Sequence, residues 1–89
     1  MQPEVIYLEE VKEKITKEHH LVVFNDDVNT FDFVIEMLVK VCEHDVLQAE
    51  QCTFIIHYKG KCAVKKGNYQ TLRNMSEALS DAGLTVEIN

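Results

Sequence analysis

The sequence predicts an α/β fold, an α+β sandwich in which a three-stranded antiparallel sheet is covered on one face by three helices in the order βααβαβ. Three observations predict it. Strict alternation marks Leu84, Val86 and Ile88 as a half-buried strand, and apolar residues recurring at three and four mark helices between shorter β-prone runs. Asn-Asp clusters and glycines punctuate the segments. With 89 residues, 46% hydrophobic and 27% charged, the chain suits one globular domain. Three strands and three helices are most economically arranged as two layers.

The elements follow in order. Residues 1–18 hold the only proline, and Leu8, Val11 and Ile15 form a thin apolar stripe. This segment is expected to be a mobile N-terminal arm ahead of a core domain at 19–89. Leu21-Val22-Val23-Phe24 is a first strand, stopped by Asn25-Asp26-Asp27, whose side chains bond nearby backbone and break ladders. Thr30 can cap a helix, with Asp32 and Glu36 placing negative charge near its positive end. Phe33, Met37 and Val41, with Val34 and Leu38 beside them, give it an apolar face to about Cys42. Glu43-His44-Asp45 ends it.

A second helix is expected from about Leu47 to Ile56 or Tyr58, with Leu47, Cys52, Ile55 and Ile56 on its inner side. The run Thr53–Ile56 is also short and β-prone enough for a strand. Gly60 stops the helix, and Cys62-Ala63-Val64 forms a brief strand closed by Gly67. A third helix runs from about Tyr69 to Asp81, carrying Leu72, Met75, Ala78 and Leu79 inward, and Gly83 ends it before the last strand.

Composition excludes several functions. Fifteen acidic against nine basic residues leave a net charge of -6, which disfavours nucleic acid, whose binding is driven by Lys and Arg displacing counterions. No apolar run approaches the ~20 residues needed to span a bilayer. The N-terminus lacks a signal peptide's basic start, and the expected location is the cytoplasm. Cys42, Cys52 and Cys62 are odd in number and read as reduced packing residues. His19, His20, His44 and His57 are metal-ligand types without a metal-site spacing. Cys52 stands more than a helical turn from His57, and no phosphate-binding glycine loop or oxyanion element is present. The chain reads as a non-enzymatic protein without a cofactor.

The densest polar group is Asn25-Asp26-Asp27. If the first two helices pack as a hairpin, His57 meets this loop. Asparagine oxygen, carboxylate and neutral imidazole nitrogen are all acceptors, a set suited to a primary ammonium. As turn residues and a lone surface histidine, the same residues carry no function.

The stretch HHLVVFNDDVNTFDFVIEMLVKV, followed at a fitting distance by HYKGK, closely resembles the ClpS adaptors, which deliver N-degron substrates to the AAA+ unfoldase of a Clp protease. The likeness spans residues 19–64, and the closing LTVEIN agrees in position and character. The family's N-D-D, its aromatic after the following Thr or Pro position, and its H-x-x-G recur as Asn25-Asp26-Asp27, Phe33 and His57-Tyr58-Lys59-Gly60. The resemblance implies a sandwich like the C-terminal domain of the large ribosomal stalk protein. It also implies that Asn25, Asp26, Asp27 and His57 hold the α-amino group of a substrate's first residue. That residue's bulky side chain would enter an apolar pocket lined by Val23, Phe24, Asn29, Phe31, Val34, Thr53, Ile56 and Leu84. The implied partners are N-degron proteins or peptides and the N-terminal domain of a ClpA- or ClpC-type unfoldase. Asn29, Thr30 and Phe31 stand where the family often has Thr, Pro and Met, and Thr53 where it often has Met. The alternatives are a stalk-type protein interaction domain without the pocket, and a sensor of free amino acids.

Overall fold

A computed structural model describes residues 18–89, so the expected N-terminal arm, Glu18 apart, lies outside the described residues. The elements are β1 (His19–Phe24), α1 (Phe31–Cys42), α2 (Val46–Lys59), β2 (Lys61–Gly67), α3 (Tyr69–Asp81) and β3 (Thr85–Ile88). The predicted order and fold class hold. The sheet runs β2-β1-β3 and is antiparallel throughout.

β1 takes the centre because it is the most apolar strand, and neighbours on both edges bury Leu21, Val22 and Val23. Its inward residues Leu21 and Val23 join Val64, Leu38, Ile56, Leu72 and Leu79 in one contiguous core. Full burial of such a side chain is worth about 1.5–3 kcal/mol, and this shared burial holds the helices against the sheet. β2 is longer than expected, because pairing with β1 extends from Lys61 to Gly67 across a bulge between Leu21 and Val22.

Local signals set the helix ends. Thr30 accepts from the Phe33 amide at 3.1 Å, and Asn68 accepts from the Thr71 amide at 2.9 Å. Asp45, expected only to end α1, also starts α2 by accepting from the Gln48 amide at 2.7 Å. Glu43 closes α1 in the left-handed region at φ 61°, and Gly60 closes α2 at φ 91°.

The helix faces differ from expectation in three places. In α1 the buried line is Val34, Leu38 and Cys42, with Phe33, Met37 and Val41 half-buried beside it. In α2 the buried residues are Ala49, Thr53 and Ile56, whereas Leu47 and Ile55 are 64% and 42% exposed. Ile56 and half-buried Cys52 are inward as expected, and small Ala49 and Thr53 take the place of Leu47 and Ile55 because they let α2 approach its neighbours closely. The run Thr53–Ile56 is helical, and Thr53 Oγ1 donates to Ala49 O at 2.7 Å, a bond available only at i−4 helical spacing. In α3, Ala78 is exposed while Leu72 and Leu79 are buried.

His44 is buried, with Nε2 2.7 Å from the Val64 carbonyl oxygen. It joins the α1–α2 turn to β2. The three cysteines are free, with Cys42 buried in the core. Among the described residues no group of three or more His, Cys, Asp or Glu is placed to hold a metal ion, and no helix is long and apolar enough to cross a membrane.

Candidate functional site

Where the central strand ends, its two neighbours begin. Phe24 pairs with Lys61 of β2 and with Thr85 of β3, so the segment leaving β1 is flanked by the residues that precede both. The ladder extends one step further, since the Asn25 amide donates to Gly60 O at 2.8 Å. That bond ties the Asn-Asp-Asp loop to the end of α2 and places His57, in its last turn, beside the loop.

The result is a cavity of about 420 Å³ lined by Asn25, Asp26, Asp27, Asn29, Phe31, Val34, Thr53, Ile56 and His57. Exposure orders these residues by depth. Asn25, Asp27, Phe31 and His57 are exposed and form the mouth, whereas Val34, Thr53 and Ile56 are buried and form the floor. The Thr53 hydroxyl is occupied by Ala49 O, so it adds little free polarity to that floor. Phe31 stands edge-on to the His57 ring, with centroids 6.4 Å apart.

Asp26 and Asn29 have another task besides lining. Asp26 Oδ1 accepts from the amides of Val28 and Asn29 at 2.8 and 2.7 Å, and Oδ2 accepts from Asn29 Nδ2 at 2.7 Å. The Asn29 backbone amide, then its side chain, hold the Asp26 carboxyl below the ordinary aspartate range, with Val28 adding to the effect and partial burial opposing it. Asn29 Nδ2 also donates to Gly83 O at 2.9 Å, which fastens the loop to the approach of β3. Asp26 therefore shapes the mouth, and Asp27 is left as the exposed carboxylate. Asn29, expected in an apolar wall, is a polar brace.

Three expected pocket residues are not among the lining. Val23 and Leu84, 1% and 5% exposed, belong to the core beneath. Phe24 follows inward-facing Val23 and so lies on the opposite face of the sheet, where Lys61 Nζ sits 5.9 Å from its ring centroid. The sequence reading also passed over Phe54. It is 55% exposed and edge-on to Phe31, with centroids 6.1 Å apart. Its spacing of three from His57 is the available signal.

The mouth presents carboxylate, amide and imidazole groups near the C-terminal, negative end of α2. Among the described residues no Lys or Arg lines the cavity. Such a site suits a cationic donor attached to an apolar group, and among the described residues it offers a carboxylate no cationic side chain of Lys or Arg.

Residues 14–87 match the family model described as "ATP-dependent Clp protease adaptor protein ClpS". The curated ClpS adapter of Campylobacter jejuni (strain 81-176) is 36% identical over 58 residues, which cover 65% of this chain and 60% of that protein. The Vibrio cholerae ClpS adapter is 42% identical over 43 residues, 48% of this chain and 41% of that one. The chain thus spans about 60% or less of the length of these relatives. The structure of Agrobacterium tumefaciens ClpS2 bound to L-phenylalaninamide has the same fold, with a TM-score of 0.71 at 18% identity, over 82% of this chain and 95% of that one. On the family match across nearly the whole described domain, the chain belongs to the ClpS family of Clp protease adaptors.

Proposed function

We propose that this protein is a cytoplasmic adaptor that binds the free α-amino group and bulky hydrophobic first residue of N-degron proteins. It then hands them to the AAA+ unfoldase of a Clp protease, through the N-terminal domain of a ClpA- or ClpC-type enzyme. Residues 1–18 serve as the arm engaged during handover. Asn25, Asp27 and His57 accept from the ammonium, and Asp26 orders the loop that presents them. The first side chain lies against Phe31, Val34, Thr53 and Ile56.

The observation that carries this reading is the ring of acceptors at the mouth of a cavity with a buried apolar floor. A stalk-type interaction domain has no use for such an arrangement. A sensor of free amino acids would need a partner for the ligand's carboxylate, and among the described residues no Lys or Arg lines the cavity. An N-terminal residue within a chain has an amide in place of that carboxylate.

The test is titration with peptides beginning in Leu, Phe, Ile or Met, each with a free and an acetylated amino terminus. Acetylation removes the charge and leaves acceptors unpaired. Hydrogen bonds to charged groups are worth about 1.5–3 kcal/mol each, so affinity is expected to fall more than tenfold. Equal affinity for the two forms refutes the assignment.

A further inference from the structure

Beyond the cavity, α2 carries an uncovered ladder of aromatic rings. Phe31 forms one wall of the cavity and meets Phe54 edge-on, with centroids 6.1 Å apart and planes at 89°. Phe54 lies against Tyr58 with centroids 4.6 Å apart and planes at 33°. These rings are 39%, 55% and 70% exposed. Phe31, at the cavity, and Phe54, beside it, thus both stand in water. Past Phe54, the surface continues into a shallow groove of about 470 Å³ that Leu47 and Ile55 help to line. Singly exposed apolar residues need no explanation, but a contiguous patch of this kind marks a contact surface.

We infer that this aromatic ledge is a subsite for the third residue of the bound chain, selecting an aromatic or large aliphatic side chain there. The inference rests on the reading of the cavity as the seat of the first residue. The tetrahedral α-carbon then dictates the path. Its side chain points down into the cavity and its ammonium turns toward Asn25 and Asp27. Its carbonyl carbon, about 111° from the nitrogen, leaves across another part of the rim, and Phe31 forms the part that continues into Phe54. Two residues of an extended chain advance about 6.8 Å, close to the 6.1 Å between Phe31 and Phe54. Successive side chains point to opposite faces, so the second side chain points away and the third, on the first one's face, lies over the ledge. An aromatic side chain stacks or meets the rings edge-on. Alanine leaves them wet, and aspartate sets a charge against apolar surface.

The test uses the full chain and C-terminally labelled peptides that begin Leu-Ala-Phe, Leu-Ala-Ala or Leu-Ala-Asp and are otherwise identical. A further peptide carries its phenylalanine at position five. Leu-Ala-Phe is expected to bind about threefold to tenfold tighter than Leu-Ala-Ala, and Leu-Ala-Asp weaker than both. Phe54→Ala is expected to compress the Leu-Ala-Phe to Leu-Ala-Ala ratio below about twofold while its circular dichroism matches the parent. Tyr58→Ala, at the outer end, is the second variant should Phe54→Ala lose its fold. Equal affinity for Leu-Ala-Phe and Leu-Ala-Ala, with both still lost on acetylation, overturns the ledge and leaves the cavity reading standing. An equal gain from phenylalanine at position five also overturns it, as does a preference that survives both substitutions. If no free-amine peptide binds, both readings fall.

Discussion

Replacing Asp26 by alanine removes three hydrogen bonds at once: those from the Val28 and Asn29 amides and from Asn29 Nδ2. Losing a single side-chain acceptor of this capping type costs about 0.5–2 kcal/mol. With three donors released in a loop that is only partly buried, a loss of about 2 kcal/mol is expected. For a domain of this size that corresponds to a fall in melting temperature of roughly 8–16 °C. Peptide affinity should fall as well, by up to about thirtyfold, if the binding-competent loop becomes a minor state by that free energy. Asp27→Asn gives the opposite signature. It keeps the melt within about 2 °C of the parent, since Asp27 is exposed, but removes a charged acceptor worth about 1.5–3 kcal/mol of binding.

Thermal melts and fluorescence anisotropy on both variants separate the two roles. The Asn29 bonds also set a pH dependence, because they hold the Asp26 carboxyl below its ordinary value. A depressed folded-state pKa stabilises fully above the unfolded value of about 3.9, and that contribution disappears as pH falls through the folded value. Asp26→Asn removes that step from the acid titration. If Asp26→Ala melts like the parent yet binds as poorly as Asp27→Asn, Asp26 touches the ligand and its assignment as loop brace is wrong.

Thr53→Met lengthens a side chain on the cavity floor. The lost hydroxyl leaves no unpaired buried donor, and any loss of stability is expected to stay within about 1–3 kcal/mol, the cost of a longer side chain at a closely packed position, while Ile- and Val-initiated peptides lose about tenfold relative to Leu. An unchanged Leu to Ile ratio in paired titrations removes Thr53 from the pocket. Glu43→Gly relieves a left-handed residue at φ 61° and should stabilise the domain by about 1 kcal/mol, read as a higher urea midpoint. Burial, first of all, pushes the Cys42 and Cys52 thiols up to about 11. A raised folded value stabilises below the unfolded value near 8.5 and is lost as pH climbs through the folded one. The urea midpoint should therefore decline between about pH 9 and 11, and less steeply in Cys52→Ala.

Much of this architecture is local, and so it was legible in the chain. Alternation in β3, the Thr30 cap and the glycine at the end of α2 each act through neighbours a few residues away. They returned the element order and placed α3 at Tyr69–Asp81, as observed. The residues of the mouth were legible for a different reason. Asn25, Asp27 and His57 stand at spacings that resemble the ClpS adaptors, and the structure brings them to one cavity.

What the sequence could not decide is which of these residues face one another. The inner face of α2 is built on Ala49 and Thr53, small residues that score weakly as hydrophobic but permit close helix packing. The larger Leu47, Phe54 and Ile55 were left outside, and only the packed neighbours reveal it. Asp26 and Asp27 are chemically identical and adjacent. One braces the loop because Asn29 is held beside it by Gly83 O, 54 residues further along the chain. Val23, Phe24 and Leu84 are apolar and near the site in sequence or space, yet sheet alternation and core packing turn them away from the cavity. Sequence alone determined the order of the elements and the chemical inventory, because propensities, caps and periodicity act over a few residues. Tertiary structure alone decided the division of labour, because a side chain's role depends on burial and partners supplied by distant segments.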